Sequence, residues 1–193
     1  MEIQDVRRWV AQGESEKIEF KRKVTHPEKI VKELVAFANT SGGYLFIGVN
    51  DDGSIPGVKF PEDEIFALDR AIDKFCRPPL EITSETIPLS EKKSIIVYKV
   101  KSGSKKPYYI LEDRPQHKKT TFVRSSDKSI QASKEVREII RRRQKNKDIT
   151  FNFGDKEKLL MDYLEKNGSI TLQEFKKVAN LNHYTASKTL IIL

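Results

Sequence analysis

ESEKIEFK at residues 14–21 and AFANTSGGYLFIGVNDDG at residues 36–53 together decide how this chain folds. YLFIGV is a continuous apolar run of strand length, suited to a central strand covered on at least one side. Just before it, PEKIVKELVAFAN places Pro27 near a first helical turn and Glu28 where a carboxylate favours the helix dipole. Apolar residues at 30, 31, 34, 35, 37 and 38 give that helix a wide face to bury against a sheet. Between helix and strand, Asn39 and Thr40 can hydrogen-bond nearby backbone, while Gly42 and Gly43 permit a sharp reversal and a close backbone approach. KIEFKRKV, residues 17–24, alternates enough to form a neighbouring strand.

Working outward, a short helix over residues 5–12 is stopped by Gly13. DDGSIPG is a turn, and residues 62–76 form a second amphipathic helix closed by Pro78 and Pro79. LEITSETIPL, SIIVYKV, PYYIL and TTFVRS read as strands joined by the polar connections KSGSKK and LEDRPQHKK. Ser133 can cap a third helix running to Gln144, and KNKDITFNFGD reads as a linker. Three short helices follow, separated by NGS and LN. The pattern predicts an α+β domain over residues 1–148, a mixed sheet with packed helices, and a small all-helical segment over residues 149–193.

The chain of 193 residues is 37% apolar and 33% charged, with the apolar residues in periodic blocks, so it is long enough to bury a core. Its single cysteine, Cys76, excludes a disulfide framework or a cysteine-based zinc site, and His26, His117 and His183 are too scattered for a local metal motif. The charged opening MEIQDVRRWVAQG does not read as a signal peptide, and no run approaches the 18 apolar residues of a membrane span, so a cytoplasmic location is expected. Net charge is +8, which favours a polyanionic partner, and half of that excess falls in residues 132–148, with seven basic and three acidic side chains. No G-x-S-x-G element is present, and neither SGGYLFIGV nor KSGSKKP carries the glycine, lysine and Ser/Thr spacing of a phosphate-cradling loop.

The ES…EFK opening, the AFANTSGGYLFIGV block, the acidic turn with Gly57 beyond it, and the later PYY and FVRS segments occur in the order that resembles the Schlafen-type AlbA-like domain. The resemblance covers residues 10–135 and implies an AlbA-like fold whose partner is DNA or RNA, and, because related folds pair, a homodimer. It implies a DNA-binding transcriptional regulator that needs no cofactor for binding. Members that cleave RNA use two glutamates and one aspartate with a divalent metal, Mg²⁺ or Mn²⁺. Carried over, that role falls on Glu14, Glu19 and Asp51, which can converge if strand 17–24 lies beside strand 43–49. The plainer alternative makes the glutamates surface or ion-paired groups and Asp51 and Asp52 turn formers beside Gly53.

For phosphate contact the candidates are Lys21, Arg22, Lys23, Lys105, Lys106, Lys118, Lys119 and Arg124, cations on loops and strand ends. Tyr108 and Tyr109 beside Lys105 and Lys106 set aromatic surface next to charge, which suits base stacking, or else one of them serves the core. In SKEVREIIRRRQKNK, Val136, Ile139 and Ile140 can face the core while Arg137, Arg141, Arg142, Arg143 and Lys145 offer a basic stripe. Residues 155–193 resemble, more loosely, the opening helices of a winged helix-turn-helix, with Asn182 or Thr185 as caps and His183, Tyr184, Thr185, Ser187 and Lys188 open to a major groove.

Overall fold

The computed structural model describes residues 1–111, 119–144 and 153–192, and the chain divides into two compact units, Met1–Ala132 and Ser133–Leu193. The first unit begins with α1 (Ile3–Val10), β1 (Ile18–Lys21), α2 (Pro27–Asn39), β2 (Gly43–Ile47) and α3 (Pro61–Phe75). It continues through β3 (Cys76–Arg77), β4 (Ile82–Ser90), β5 (Lys93–Val100), β6 (Tyr109–Leu111), β7 (Lys119–Thr120), β8 (Phe122–Ser125) and β9 (Lys128–Gln131). Its main sheet has the order β1-β2-β5-β4, with β1 parallel to β2 and the other pairs antiparallel. The parallel pair follows from α2, which carries the chain back across the sheet before β2 begins.

The two faces of that sheet bury different sets of side chains because successive residues of a strand point to opposite sides. Leu45, Ile47, Ile96, Tyr98 and Val100 meet Ile30, Val31, Leu34, Val35 and Phe37 of α2 and Leu68, Ala71 and Ile72 of α3. Ile18, Phe20, Phe46, Ile95 and Val97 form the opposite core with Val6 and Val10 of α1. The apolar pattern of residues 30–38 is thus satisfied, and every one of the predicted face residues on α2 is buried. Two small sheets, β3-β6-β7 and β8-β9, complete the unit beside α2 and α3.

The helix-to-strand reversal is closely packed. A Cβ added to Gly43 would stand 2.4 Å from the Phe37 ring and 2.9 Å from the Lys17 carbonyl oxygen, and Gly42 holds φ +77° with Val100 backbone 2.7 Å from where its Cβ would be. Gly43→Ala is therefore expected to destabilise the unit by about 2–3 kcal/mol through overpacking. Urea unfolding of the variant checks it, and an unchanged midpoint would show that the turn has room to yield.

The second unit contains α4 (Lys134–Gln144), α5 (Asp155–Asn167), α6 (Leu172–Val178) and α7 (His183–Ile192). Leu160, Phe175 and Ala186 form its small core. Thr171 and Glu174 bond reciprocally at the start of α6, and the Thr185 N–H donates to Asn182 Oδ1 at 2.8 Å, so Asn182 caps α7. The division falls between Ala132 and Ser133, whereas the sequence reading kept residues 133–148 with the first domain. The reason is that α4 packs on α7, where Ser187 Oγ donates to Glu135 Oε1 at 2.7 Å. Val136, Ile139 and Ile140 are half-buried rather than enclosed. Cys76 belongs to β3, not to the preceding helix, and β9 had no signal in the alternation of its residues, KSIQ.

Candidate nucleic-acid interface

The turn between α2 and β2 is the point on which three separate stretches of chain converge. Buried Asn39 donates from Nδ2 to the carbonyls of Tyr108 and Phe122, each at 2.9 Å, and its Oδ1 accepts from the Tyr108 N–H at 2.7 Å. The Thr40 carbonyl accepts from Ser102 Oγ at 2.8 Å and from the Lys106 ammonium at 2.7 Å. The Tyr44 N–H bonds the Lys17 carbonyl, and the Gly103 N–H bonds that of Ala38, both at 2.8 Å. Through these bonds Lys17, from the entrance to β1, and Lys99, Lys101, Lys105 and Lys106, from the end of β5 and the loop after it, gather around one turn. The first four are exposed and Lys106 is half-buried. Glu16, bonded by Ser41, and Glu81, bonded by Ser104, are the carboxylates among them. The Ser104 bonds, more than the neighbouring lysines, hold the Glu81 carboxyl below its ordinary range.

The sequence marks Lys105 and Lys106 as candidates; Lys99 and Lys101 stand in the same run, KVKSGSKK, whereas no local run joins Lys17 to them. Tyr108 belongs to the core, its ring filling the space beside Gly103, while Tyr109 stays half-buried with the Lys119 ammonium 4.9 Å from its ring centre. The Lys21 ammonium turns back to Glu19 and to the Phe20 carbonyl at 2.8 Å. Arg22 is exposed but donates to the Gly57 carbonyl at 2.9 Å, and Lys23 is exposed. Lys118 and Lys145 lie outside the described residues. Arg141 and Arg143 are exposed and Arg142 half-buried, all in the second unit, with Arg141 paired to Glu138 at 3.2 Å. Of the predicted cations, Lys105 and Lys106 stand at the turn, while the Lys21 ammonium is engaged by Glu19.

Arg124 must be removed from the phosphate-binding set, because its side chain is 0% exposed. Its guanidinium donates to Glu19 Oε2 and Glu33 Oε2, both at 2.9 Å, and to the Ser15 carbonyl at 2.6 Å, while lying 4.8 Å from the centre of the Phe37 ring. Glu33, which Ser129 Oγ also bonds, was not singled out in the sequence; a glutamate on the sheet-facing side of a helix written EKIVKELVAF was the available signal. A buried arginine shared by two carboxylates ties β8 to β1 and α2.

The carboxylate trio meets only part of its condition. Glu19 does lie beside Leu45 in the parallel β1–β2 pair. The pleat then turns Glu19 towards α2 and Arg124, whereas Phe20 faces the other side and lines a cavity of about 600 Å³ with Asp51, Asp52, Arg7, Gln12 and Gly13. Glu14 sits at the free edge of β1, its Oε1 accepting from the Phe20 N–H at 2.9 Å. Burial raises the Glu14 carboxyl above its ordinary value, and repulsion from Glu19 and Asp51 adds to the rise. Among the described residues no group of three or more His, Cys, Asp or Glu side chains is placed to hold a metal ion. Glu19 is engaged by Lys21 on one oxygen and by Arg124 on the other. Burial also pushes the Cys76 thiol up to about 12, which leaves it protonated and unreactive.

A mixed four-stranded sheet with two helices on one face, one on the other, and a glycine turn ringed by lysines defines the first unit as an α+β domain of the AlbA-like kind. The chain belongs to the Schlafen AlbA_2 family, whose model matches residues 14–133, and this membership supports nucleic-acid binding. Among solved structures, it is similar to the N-terminal domain of a RecG-related protein of Nitrosomonas europaea, determined by solution NMR. The two share 22% identity over 66% of this chain and 92% of that one, with a TM-score of 0.48. The family match ends before α4 and does not extend to the helices resembling a winged helix-turn-helix. No helix among the described residues is long and apolar enough to cross a membrane.

Proposed function

We propose that the first unit binds DNA or RNA through the lysines gathered at the α2–β2 turn, and that the chain serves as a DNA-binding transcriptional regulator. The observation that carries the binding reading is the convergence of Lys17, Lys99, Lys101, Lys105 and Lys106 on a turn fixed by buried hydrogen bonds. The exposed ammonium groups of Lys17, Lys99, Lys101 and Lys105 can neutralise phosphates without selecting bases, and each neutralised phosphate releases counterions. In the second unit, exposed Tyr184 and Lys188 on α7 support a base-reading role for that helix, which would make the chain a regulator rather than a non-specific binder.

If four phosphates are engaged, affinity for a labelled duplex is expected to fall roughly a hundredfold between 50 and 200 mM salt, read by fluorescence anisotropy. Neutralising Lys101 and Lys105 together to Gln should flatten the salt slope by about two. Salt-independent binding, or none at low salt, would rule the reading out. The same incubations with Mg²⁺ or Mn²⁺ score the competing reading of a metal-dependent nuclease using Glu14, Glu19 and Asp51. Intact strands are expected; metal-dependent shortening that disappears in Glu14→Gln and Asp51→Asn would establish cleavage. Selection from a random duplex pool tests the regulator, for which an enriched sequence is expected and an unenriched pool counts against it.

A further inference from the structure

Trp9, Tyr44 and Lys99 come from three different elements and meet on the α1 side of the main sheet. The Trp9 and Tyr44 ring centres are 5.2 Å apart with planes inclined at 36°, and Tyr44 is stacked in turn on fully buried Phe46 at 6.3 Å. The Lys99 ammonium stands 5.8 Å from the Tyr44 ring centre. Strand register explains the meeting: Ile18, Tyr44, Lys99 and Thr83 are direct cross-strand neighbours in one row over β1, β2, β5 and β4. Two residues further along, the equivalent row is Phe20, Phe46, Val97 and Glu85. In that second row the first three side chains are buried in the core that Val6 and Val10 of α1 close. The eight-residue helix α1 ends its cover there, leaving Trp9 and Tyr44 half-buried and Lys99 and Thr83 exposed.

We propose that Trp9 and Tyr44 form a stacking platform for an unpaired base of a single-stranded nucleic acid, with Lys99 holding an adjoining phosphate. This rests on the nucleic-acid reading above and names the strand class it favours. Every base presents a π-face, but a base in a duplex has both faces occupied by its neighbours, so an aromatic platform selects single strands or splayed bases. Phe46, next to Tyr44 along the same face of β2, packs against one side of its ring. Charge favours the same occupant. Tyr44 follows directly on the lysine-ringed turn, and its N–H bonds the Lys17 carbonyl, so the lysines of the turn stand next to the platform. Asp5 of α1 and Glu85 of β4 oppose this, yet Arg8 engages Asp5 and the N-terminal ammonium engages Glu85 at 2.7 Å.

The test uses the chain's single tryptophan, whose intrinsic emission reports Trp9 alone. The full chain is titrated at low salt with oligo(dT), with oligo(U), and with a DNA duplex of equal length, while anisotropy of labelled strands records binding separately. Saturable quenching that tracks single-strand binding is expected, with little quenching by bound duplex. Tyr44→Ala should weaken single-strand binding about tenfold while duplex binding holds. Single strands that bind with no change in emission, or with equal affinity for Tyr44→Ala, overturn the platform and leave the binding reading intact. Retention of no nucleic acid at all overturns the binding reading itself. Should Tyr44→Ala lose its cooperative melt, Tyr44→Leu takes its place, and the quenching of the unaltered chain decides in any case.

Discussion

Arg124→Met is expected to cost about 3–5 kcal/mol of stability at neutral pH, the range found when one partner of a buried ion pair is removed. The loss comes from the carboxylates left behind. Glu19, with 8% of its side chain exposed, would keep only Lys21, and Glu33, 20% exposed, would keep the hydroxyl of Ser129. Methionine matches the length of the arginine stem and can fill the space beside Phe37, so the loss measures the charge and its hydrogen bonds more than a cavity. Arg124→Lys should lose less than Arg124→Met, because an ammonium keeps the charge yet cannot bridge Glu19, Glu33 and the Ser15 carbonyl together. Combining Arg124→Met with Glu19→Gln and Glu33→Gln should recover part of the loss. Urea unfolding of the three proteins settles the matter: a single variant within about 1 kcal/mol of the parent would show that the cluster holds nothing together.

The same cluster gives stability a pH dependence of definite sign. Burial raises the carboxyls of Glu33 and Glu14 above their ordinary value of 4.5. A group whose pKa is higher in the folded protein contributes stability that is full below 4.5 and is lost as pH rises through its folded value. Lowering the pH from neutral towards 4.5 should therefore stabilise the parent through these two residues, and Arg124→Met to a greater extent, since its two carboxylates have more to gain from a proton. Further acidification reverses the trend, as Asp5, Asp52 and Glu81, held low by hydrogen bonds, become protonated. A urea midpoint that falls steadily from pH 7 downwards would contradict this assignment. One practical consequence concerns Glu19→Gln, the obvious substitution for testing carboxylate catalysis. It also disturbs Arg124, so lost activity in it would not separate chemistry from folding; Glu14 and Asp51 are the cleaner positions.

The fold was legible because its signals are local. The spacing of Ile30, Val31, Leu34 and Val35 belongs to a helix, and YLFIGV belongs to a strand covered on at least one side, whatever the rest of the chain does. Gly42 and Gly43 marked a reversal that sterics of the folded chain then required. The site was less legible because charge in a sequence carries no direction. Lys21 and Arg124 look like their exposed neighbours when written out, yet a pleat and a nearby glutamate turn each inwards. Conversely, Lys17 lies far along the chain from Lys99 and Lys101 and becomes their neighbour only through the parallel β1–β2 and antiparallel β2–β5 pairs. The Tyr108–Tyr109 pair, attractive as aromatic surface beside lysines, alternates as any strand does, so one ring had to enter the core.

Asn39→Ala is the second substitution with a large expected effect, about 3 kcal/mol, because it deprives three backbone groups of their partner at once. The Tyr108 N–H, the Tyr108 carbonyl and the Phe122 carbonyl all bond this one side chain, and Asn39 itself is 5% exposed, so water does not readily replace it. An amide suits the position since its oxygen meets the N–H while its NH₂ meets both carbonyls; neither a carboxylate nor an aliphatic group can do both. Asn39→Asp, nearly identical in shape, should therefore be no milder than Asn39→Ala: it keeps the acceptor but aims a second oxygen at two carbonyls and buries a charge. An aspartate variant as stable as the parent would mean the side chain serves only to fill space. The position also links stability to binding, because Asn39 anchors the chain just after the loop that carries Lys101, Lys105 and Lys106. At a temperature where Asn39→Ala remains folded, amide exchange at Tyr108 should quicken and nucleic-acid affinity should fall although no cation has been removed. Unchanged affinity together with rapid exchange would show that the lysines bind without a fixed arrangement, and the rigid edge at the turn would then have no part in recognition.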